Sequence, residues 1–234
     1  MDRRVQLLFA WCGPAFLLFF LVGFWFVAGL VPPPSATDSA RQIASFYRAN
    51  TDQLRVGLLL LLIGAPLIVP FSVLLALQLK RSDARVAALA YVQLLMSVVT
   101  MLELLLPVVL MATAAFRPGR PPASTQLLND TAYTILLWAF SPPTLEFAAI
   151  GLAILWDRSE RPLFPRWSGY MDLAVAAIFA GGAPALFVKH GAFGWDGAVA
   201  FWAVLGSFGV WVLVTFATML RAIDPAPAAA GALA

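Results

Sequence analysis

Residues 86–112 read VAALAYVQLLMSVVTMLELLLPVVLMA, and Glu103 is their only charged side chain. A hydrocarbon layer of about 30 Å is crossed by about 20 apolar residues in a helix, so this run reads as a membrane span. Similar runs cover 5–30, 56–79, 132–156, 173–188 and 197–220, making six spans in all. The whole chain is 62% hydrophobic and only 12% charged, with a mean hydropathy of +0.87. Soluble domains carry about a quarter charged residues. The expected fold is an all-α integral membrane protein, one six-helix domain over 1–224. The low-complexity tail PAPAAAGALA, 225–234, is expected to be disordered.

Met1-Asp2-Arg3-Arg4 ahead of the first run resembles a secretory leader, but the apolar stretch exceeds the 7–15 residues of a signal core. Trp11 also stands before Cys12 where a lipoprotein signal needs a small residue. An uncleaved helix is expected. With the N-terminus inside, the inner segments hold nine Lys and Arg and the outer ones six, and the short loops LKRSDAR and DRSERPLFPRW are the most basic. This bias places both termini in the cytoplasm. The net charge of +3 then belongs to topology, and the lipid bilayer rather than nucleic acid is the expected partner.

One cysteine excludes an internal disulfide, and one histidine, His190, excludes a bis-histidine haem site or a histidine metal cluster. There is no HExxH, no GxSxG and no histidine-rich box. No enzyme activity, cofactor or metal is expected. His190, in VKHGAFGW, reads as an ordinary interfacial residue, and most of the eight tryptophans as belt anchors near span ends.

The first outer loop, 31–55, carries Ser35 and Asp38 in capping-box spacing, then Ala36, Ala40, Ile43, Ala44 and Tyr47 at helical intervals. A short amphipathic helix on the outer surface is expected, with Arg41 and Arg48 outward and Phe46 and Tyr47 at headgroup level. The second outer loop, AAFRPGRPPASTQLLNDTAY, reads as irregular.

Within span three, Gln93, Ser97, Thr100, Glu103 and Pro107 fall in one arc of about 120° on a helix of 100° per residue. A polar stripe of this kind should face helices or water, because a charged side chain at the bilayer centre costs several kcal/mol. Pro107 cannot donate to the carbonyl of Glu103, so carboxylate and free carbonyl sit together as acceptors in want of a donor. Span four adds Glu146, on a face with Ala139, Pro142, Pro143, Ala149 and Ala153 that invites close helix approach. Pro142 and Pro143 should break this helix, with Pro107, Pro66 and Pro184 as further break points. Gly-Ala-Pro occurs at 64–66 and 182–184, in spans that run oppositely as in an inverted repeat, but the Pro142-Pro143 break has no counterpart in span one, so the recurrence reads as chance in a Gly-, Ala- and Pro-rich chain. No Lys or Arg lies deep in a span; Arg55, at the outer start of span two, is the nearest candidate partner for the acids. Asp172 reads as an N-terminal helix residue capped by Ser168.

The segment ASFYRANTDQLRVGLLLLLIGAPLIVPFSVLLALQLK, 44–80, with its FYxxN helix, arginine and span ending in basic residues, resembles a segment of uncharacterised multi-span bacterial membrane proteins. The resemblance implies a multi-pass protein of the bacterial cytoplasmic (inner) membrane and brings no activity, cofactor or site residue. Two functional readings stay open. In one, Glu103, Glu146, Thr100, Gln93, Ser97 and Arg55 form a ligand or proton site in a small carrier or channel for a cation, a proton-coupled solute or an amphipathic molecule. In the other, the chain is a non-catalytic accessory subunit whose polar stripe meets other membrane subunits or its own copies.

Overall fold

The computed structural model describes residues 1–223, so the tail at 225–234 lies outside the described residues. Nine α-helices account for the described chain: α1 (Arg3–Phe20), α2 (Ala40–Ala49), α3 (Thr51–Gly64), α4 (Ile68–Ser82), α5 (Ala87–Phe116), α6 (Pro122–Trp138), α7 (Ser141–Trp156), α8 (Arg166–Ala180) and α9 (Val204–Ile223). They combine into six helical stretches long and apolar enough to cross a bilayer: Arg3–Val27, Thr51–Ser82, Ala84–Phe116, Pro122–Trp156, Arg166–Leu186 and Ala198–Ile223. No strand occurs among the described residues. All six expected spans are present, with shifted limits.

The largest shifts occur where polar residues continue a helix that hydropathy alone would stop. The fifth span begins at Arg166 rather than 173, because Ser168 and Asp172 are buried against neighbouring helices instead of lying at a surface. The fourth begins at Pro122, so the loop read as irregular shrinks to residues 117–121. Pro122 at the first helical position costs nothing, since that amide has no intrahelical partner in any case.

The capping box of α2 lies four residues later than expected. Ser39 accepts from the Gln42 amide and the Gln42 side chain accepts from the Ser39 amide, whereas the Asp38 carboxylate merely closes a turn on the Ser35 amide at 3.0 Å. Ile43, Ala44 and Tyr47 are buried. Tyr47 is therefore packed inside the protein, where its hydroxyl donates to Asn129 of α6 at 3.3 Å. Burial pushes the Tyr47 phenol up, keeping it a neutral donor. Arg48 fastens the same helix to the 117–121 loop through its Nε and the Pro118 carbonyl, 3.0 Å apart.

Packing runs α1 against α3, α4 and α9; α5 against α3, α4, α6 and α7; α7 against α8; and α8 against α9. Glycine decides two of these approaches. A Cβ on Gly23 would stand 2.7 Å from the Gly57 carbonyl oxygen, and one on Gly151 the same distance from the Gly169 carbonyl oxygen. Backbone meets backbone at both pairs, the arrangement small residues allow between membrane helices.

At the far end of the bundle from α2, two loops are latched together. The Arg158 amide donates to Asp83 at 3.0 Å, the Leu163 amide to Ser82 Oγ at 3.2 Å, and Ser82 donates to Asp157. Arg85 Nε and Nη2 close on the Asp83 carboxylate, the latter at 2.8 Å. This arginine, with the Arg158 and Arg85 amides, holds the Asp83 carboxyl well below the usual carboxylate range.

The proline expectations divide. Pro142 and Pro143 start α7 after a break at Ala139 and Phe140, and Pro66 lies in a 3₁₀ turn, Ala65–Leu67, between α3 and α4. Pro184 lies in the 3₁₀ turn Ala183–Leu186 that follows α8. Pro107 does not break its helix, for α5 runs uninterrupted from Ala87 to Phe116 with Pro107 buried inside it. Packing of neighbours around a proline commonly preserves a membrane helix in this way. The two Gly-Ala-Pro tripeptides are not equivalent either: the first sits mid-span and the second closes a span.

Candidate functional site

The polar arc of α5 and the acid of α7 meet because these helices pack side by side. Thr100 Oγ1 donates to Glu146 Oε2 at 2.8 Å. The Glu103 carboxyl, one turn along α5, is close enough to interact electrostatically with Glu146, yet makes no hydrogen bond among the described residues. Gln93 is wholly buried beside Glu146, and neither its amide nitrogen nor its oxygen reaches hydrogen-bond geometry with a protein atom. Ser97 is buried too, its hydroxyl turned back to the Leu94 carbonyl at 2.9 Å.

Glu103, Glu146, Thr100 and Ser97 line one cavity of about 130 Å³. Its other walls are apolar and rich in rings: Phe16, Phe20 and Phe24 from the first span, Phe140 from the α6–α7 break, Phe179 from α8, and Phe201, Phe208 and Trp211 from the last span, set among aliphatic residues. No Lys, Arg or His lines it. Among the described residues no three of His, Cys, Asp and Glu converge to hold a metal ion.

Arg55, the expected partner of the acids, lies elsewhere. Its guanidinium holds Asp52 and the Phe116 carbonyl, each at 3.2 Å, at the end of α3 and α5 nearest α2. Glu103 lies thirteen residues, about 20 Å of helix, along α5 from the Phe116 carbonyl that Arg55 holds, and a nearer acid and carbonyl satisfy the fork first. Pro107 is not on the cavity wall, nor are Pro142, Pro66 and Pro184, whereas Pro143 is.

Backbone irregularity gathers at the same place. The first span turns π-helical over Leu21–Val27 and the last begins π-helical over Ala198–Ala203; Phe24 and Phe201, within these turns, line the cavity. Ile68 follows the 3₁₀ turn of the second span, Ala139 and Phe140 form the break of the fourth, and Gly182 follows α8; all line it too. The 3₁₀ turn at Ala84–Val86, at the start of the third span, lies away from the cavity wall, and the turns at Ala65–Leu67 and Ala183–Leu186 reach it through their flanking residues Ile68 and Gly182. Departures from the α-helix at membrane depth are tolerated where they border a cavity, and π turns concentrate at functional sites.

Composition-led reading missed the aromatic wall. Its signal was present as Phe16, Phe20 and Phe24 at four-residue intervals, one face of a helix. It also missed Asp172, which is no terminal residue: α8 begins six residues earlier with Pro165 as its cap, and Asp172 accepts a hydrogen bond from Trp211 behind the cavity. The tryptophans divide likewise, with Trp11, Trp156 and Trp167 exposed and Trp195 and Trp211 buried.

No curated protein and no solved structure matches the chain. Residues 12–221 match the family described as Domain of unknown function (DUF4386). That match reaches into all six spans and takes in every residue of the cavity wall, and the chain belongs to this family.

Proposed function

We propose that the protein is a small, non-enzymatic membrane carrier or channel whose ligand is a cation or a proton-coupled or amphipathic solute, held at Glu103 and Glu146. One observation carries the reading: two carboxylates from different helices share a cavity that no basic side chain lines. Burying carboxyl groups in a membrane protein is costly, and intramembrane acids commonly mark ion and proton pathways. Broken and π-helical segments converging on the acids support it, since transporter sites are built from discontinuous helices. The orientation that accompanies this reading has both termini in the cytoplasm of a bacterium and α2 on the outer face of the inner membrane; the excess of Lys and Arg in the 80–85 and 157–166 loops favours it.

The test is reconstitution of the full chain into proteoliposomes. Glu103→Gln and Glu146→Gln should abolish pH-dependent uptake or binding while leaving the folded yield unchanged. If the chain instead purifies in fixed ratio with other membrane proteins, and the same substitutions only release them, it is an accessory subunit and the carrier reading fails.

A further inference from the structure

We infer that the cavity selects a lipophilic organic ammonium ion, a monovalent cation carried on an apolar body. The inference rests on the carrier reading and names the class of its ligand.

Charge comes first. Two carboxyl groups and no Lys, Arg or His on the wall exclude an anion and leave a neutral ligand without use for Glu103. Size and coordination come next. About 130 Å³ is roughly ten times the space one water needs, which suits an organic molecule. A hard inorganic cation wants about six oxygens free to converge on one point, whereas of the six side-chain oxygens on this wall Glu146 Oε2, Thr100 Oγ1 and Ser97 Oγ are already engaged. The Thr100 hydroxyl is bonded to Glu146 and that of Ser97 to its own backbone.

The remaining surface has the complementary chemistry. Phe16, Phe20, Phe24, Phe179, Phe208 and Trp211 present ring carbon from three spans around the acids. Ring faces attract a cation that has left water, and an alkyl- or aryl-ammonium loses its hydration far more readily than a metal ion. Glu103, with no hydrogen bond of its own among the described residues, supplies the counter-charge, and Thr100 holds Glu146 in place as the second.

Protons compete with such a ligand for the same oxygens, so affinity rises with pH, by at most tenfold per unit for each proton released. The titratable groups concerned are Glu103 on α5, Glu146 on α7, and Asp172 on α8 behind the Trp211 indole of α9; the wall residues of α1, α4 and α6 include none.

Phenyltrimethylammonium is the probe, because its fixed charge leaves only the protein to titrate. Equilibrium dialysis of the labelled ion against the full-length protein in detergent should show saturable binding at one site. Glu103→Gln should weaken it at least tenfold and Phe208→Leu several-fold, with Phe208→Tyr restoring it. Sodium and the neutral isostere tert-butylbenzene should not compete at equal concentration. Competition by tert-butylbenzene with no loss in Glu103→Gln would show a merely greasy cavity and overturn the inference. Uptake of sodium or protons that depends on Glu103, without phenyltrimethylammonium binding, would overturn it while leaving the carrier reading intact. Indifference of both uptake and binding to Glu103→Gln and Glu146→Gln would end both.

Discussion

Trp211 Nε1 donates to Asp172 Oδ1 at 2.8 Å, tying α9 to α8 directly behind the cavity. Both residues are almost fully enclosed, at 1% and 2% exposure. The indole that the carboxylate orients is itself cavity wall, and it is flanked by Phe208 at 5.9 Å and Phe147 at 4.9 Å between ring centres. An acid outside the expected pair thus orients part of the cavity wall.

Removal of that acid is the first prediction. Asp172→Ala leaves the buried indole N–H without an acceptor, a loss of about 1–3 kcal/mol. Asp172→Asn keeps an oxygen at the same place and should cost distinctly less. Unfolding titrations in mixed micelles measure both, and equal losses would show that the hydrogen bond is not what joins the two helices.

Thr100→Val removes the sole donor that Glu146 receives at hydrogen-bond geometry among the described residues. Interhelical hydrogen bonds in membranes contribute about 0.6 kcal/mol on average and up to about 1.7. A loss of that size is expected, with recovery in Thr100→Ser. In a Glu146→Ala background the substitution should cost almost nothing, because the partner is gone. A double-mutant cycle with no coupling would deny the contact.

What sequence could and could not reveal follows from the solvent. In water an apolar residue points inward, so periodicity marks the core. In lipid both sides of a helix are apolar, and Leu95, 64% exposed, is no less hydrophobic than Leu54, at 0%. Polar residues alone mark the interior, which is why the arc of Gln93, Ser97, Thr100 and Glu103 led to Glu146. The converse error followed from the same habit: Asp172 was expected at a helix end because an acid usually lies there. The π-helical turns had no signal of their own, since Leu21–Val27 reads LVGFWFV and would suit any apolar helix. Arg55 failed as a partner because reach depends on which residues compete for it, and Asp52 stands three positions away.

The glycine contacts give a third prediction. A methyl on Gly57 would lie 2.6 Å from the Ala28 backbone nitrogen and press on the Gly23 carbonyl, with no flexible side chain to yield. Gly57→Ala should destabilise by about 1–3 kcal/mol, the usual cost of overpacking. Gly206→Ala is the control, for a methyl there meets nothing within 4 Å. Alanine's better helix propensity, about 1 kcal/mol, should leave that variant unharmed or slightly stabilised. Thermal unfolding in detergent separates the two, and similar behaviour would contradict the close approach of the first span to α3.

The latch at the opposite end gives a prediction in pH. Asp83 accepts from the Arg85 guanidinium and from the Arg85 and Arg158 amides, and its carboxyl is held below the ordinary value. A carboxylate whose folded value is depressed contributes stability that is complete above its unfolded value, about 4, and is lost as pH falls through the folded value. Asp83→Asn removes the charge while leaving the shape. The variant should therefore unfold at a lower temperature than the parent by a gap that is constant from about pH 8 to pH 5 and narrows under stronger acid. Measured across that range, a gap that changes near neutral pH would mean that some other group, and not Asp83, governs the junction of the two loops.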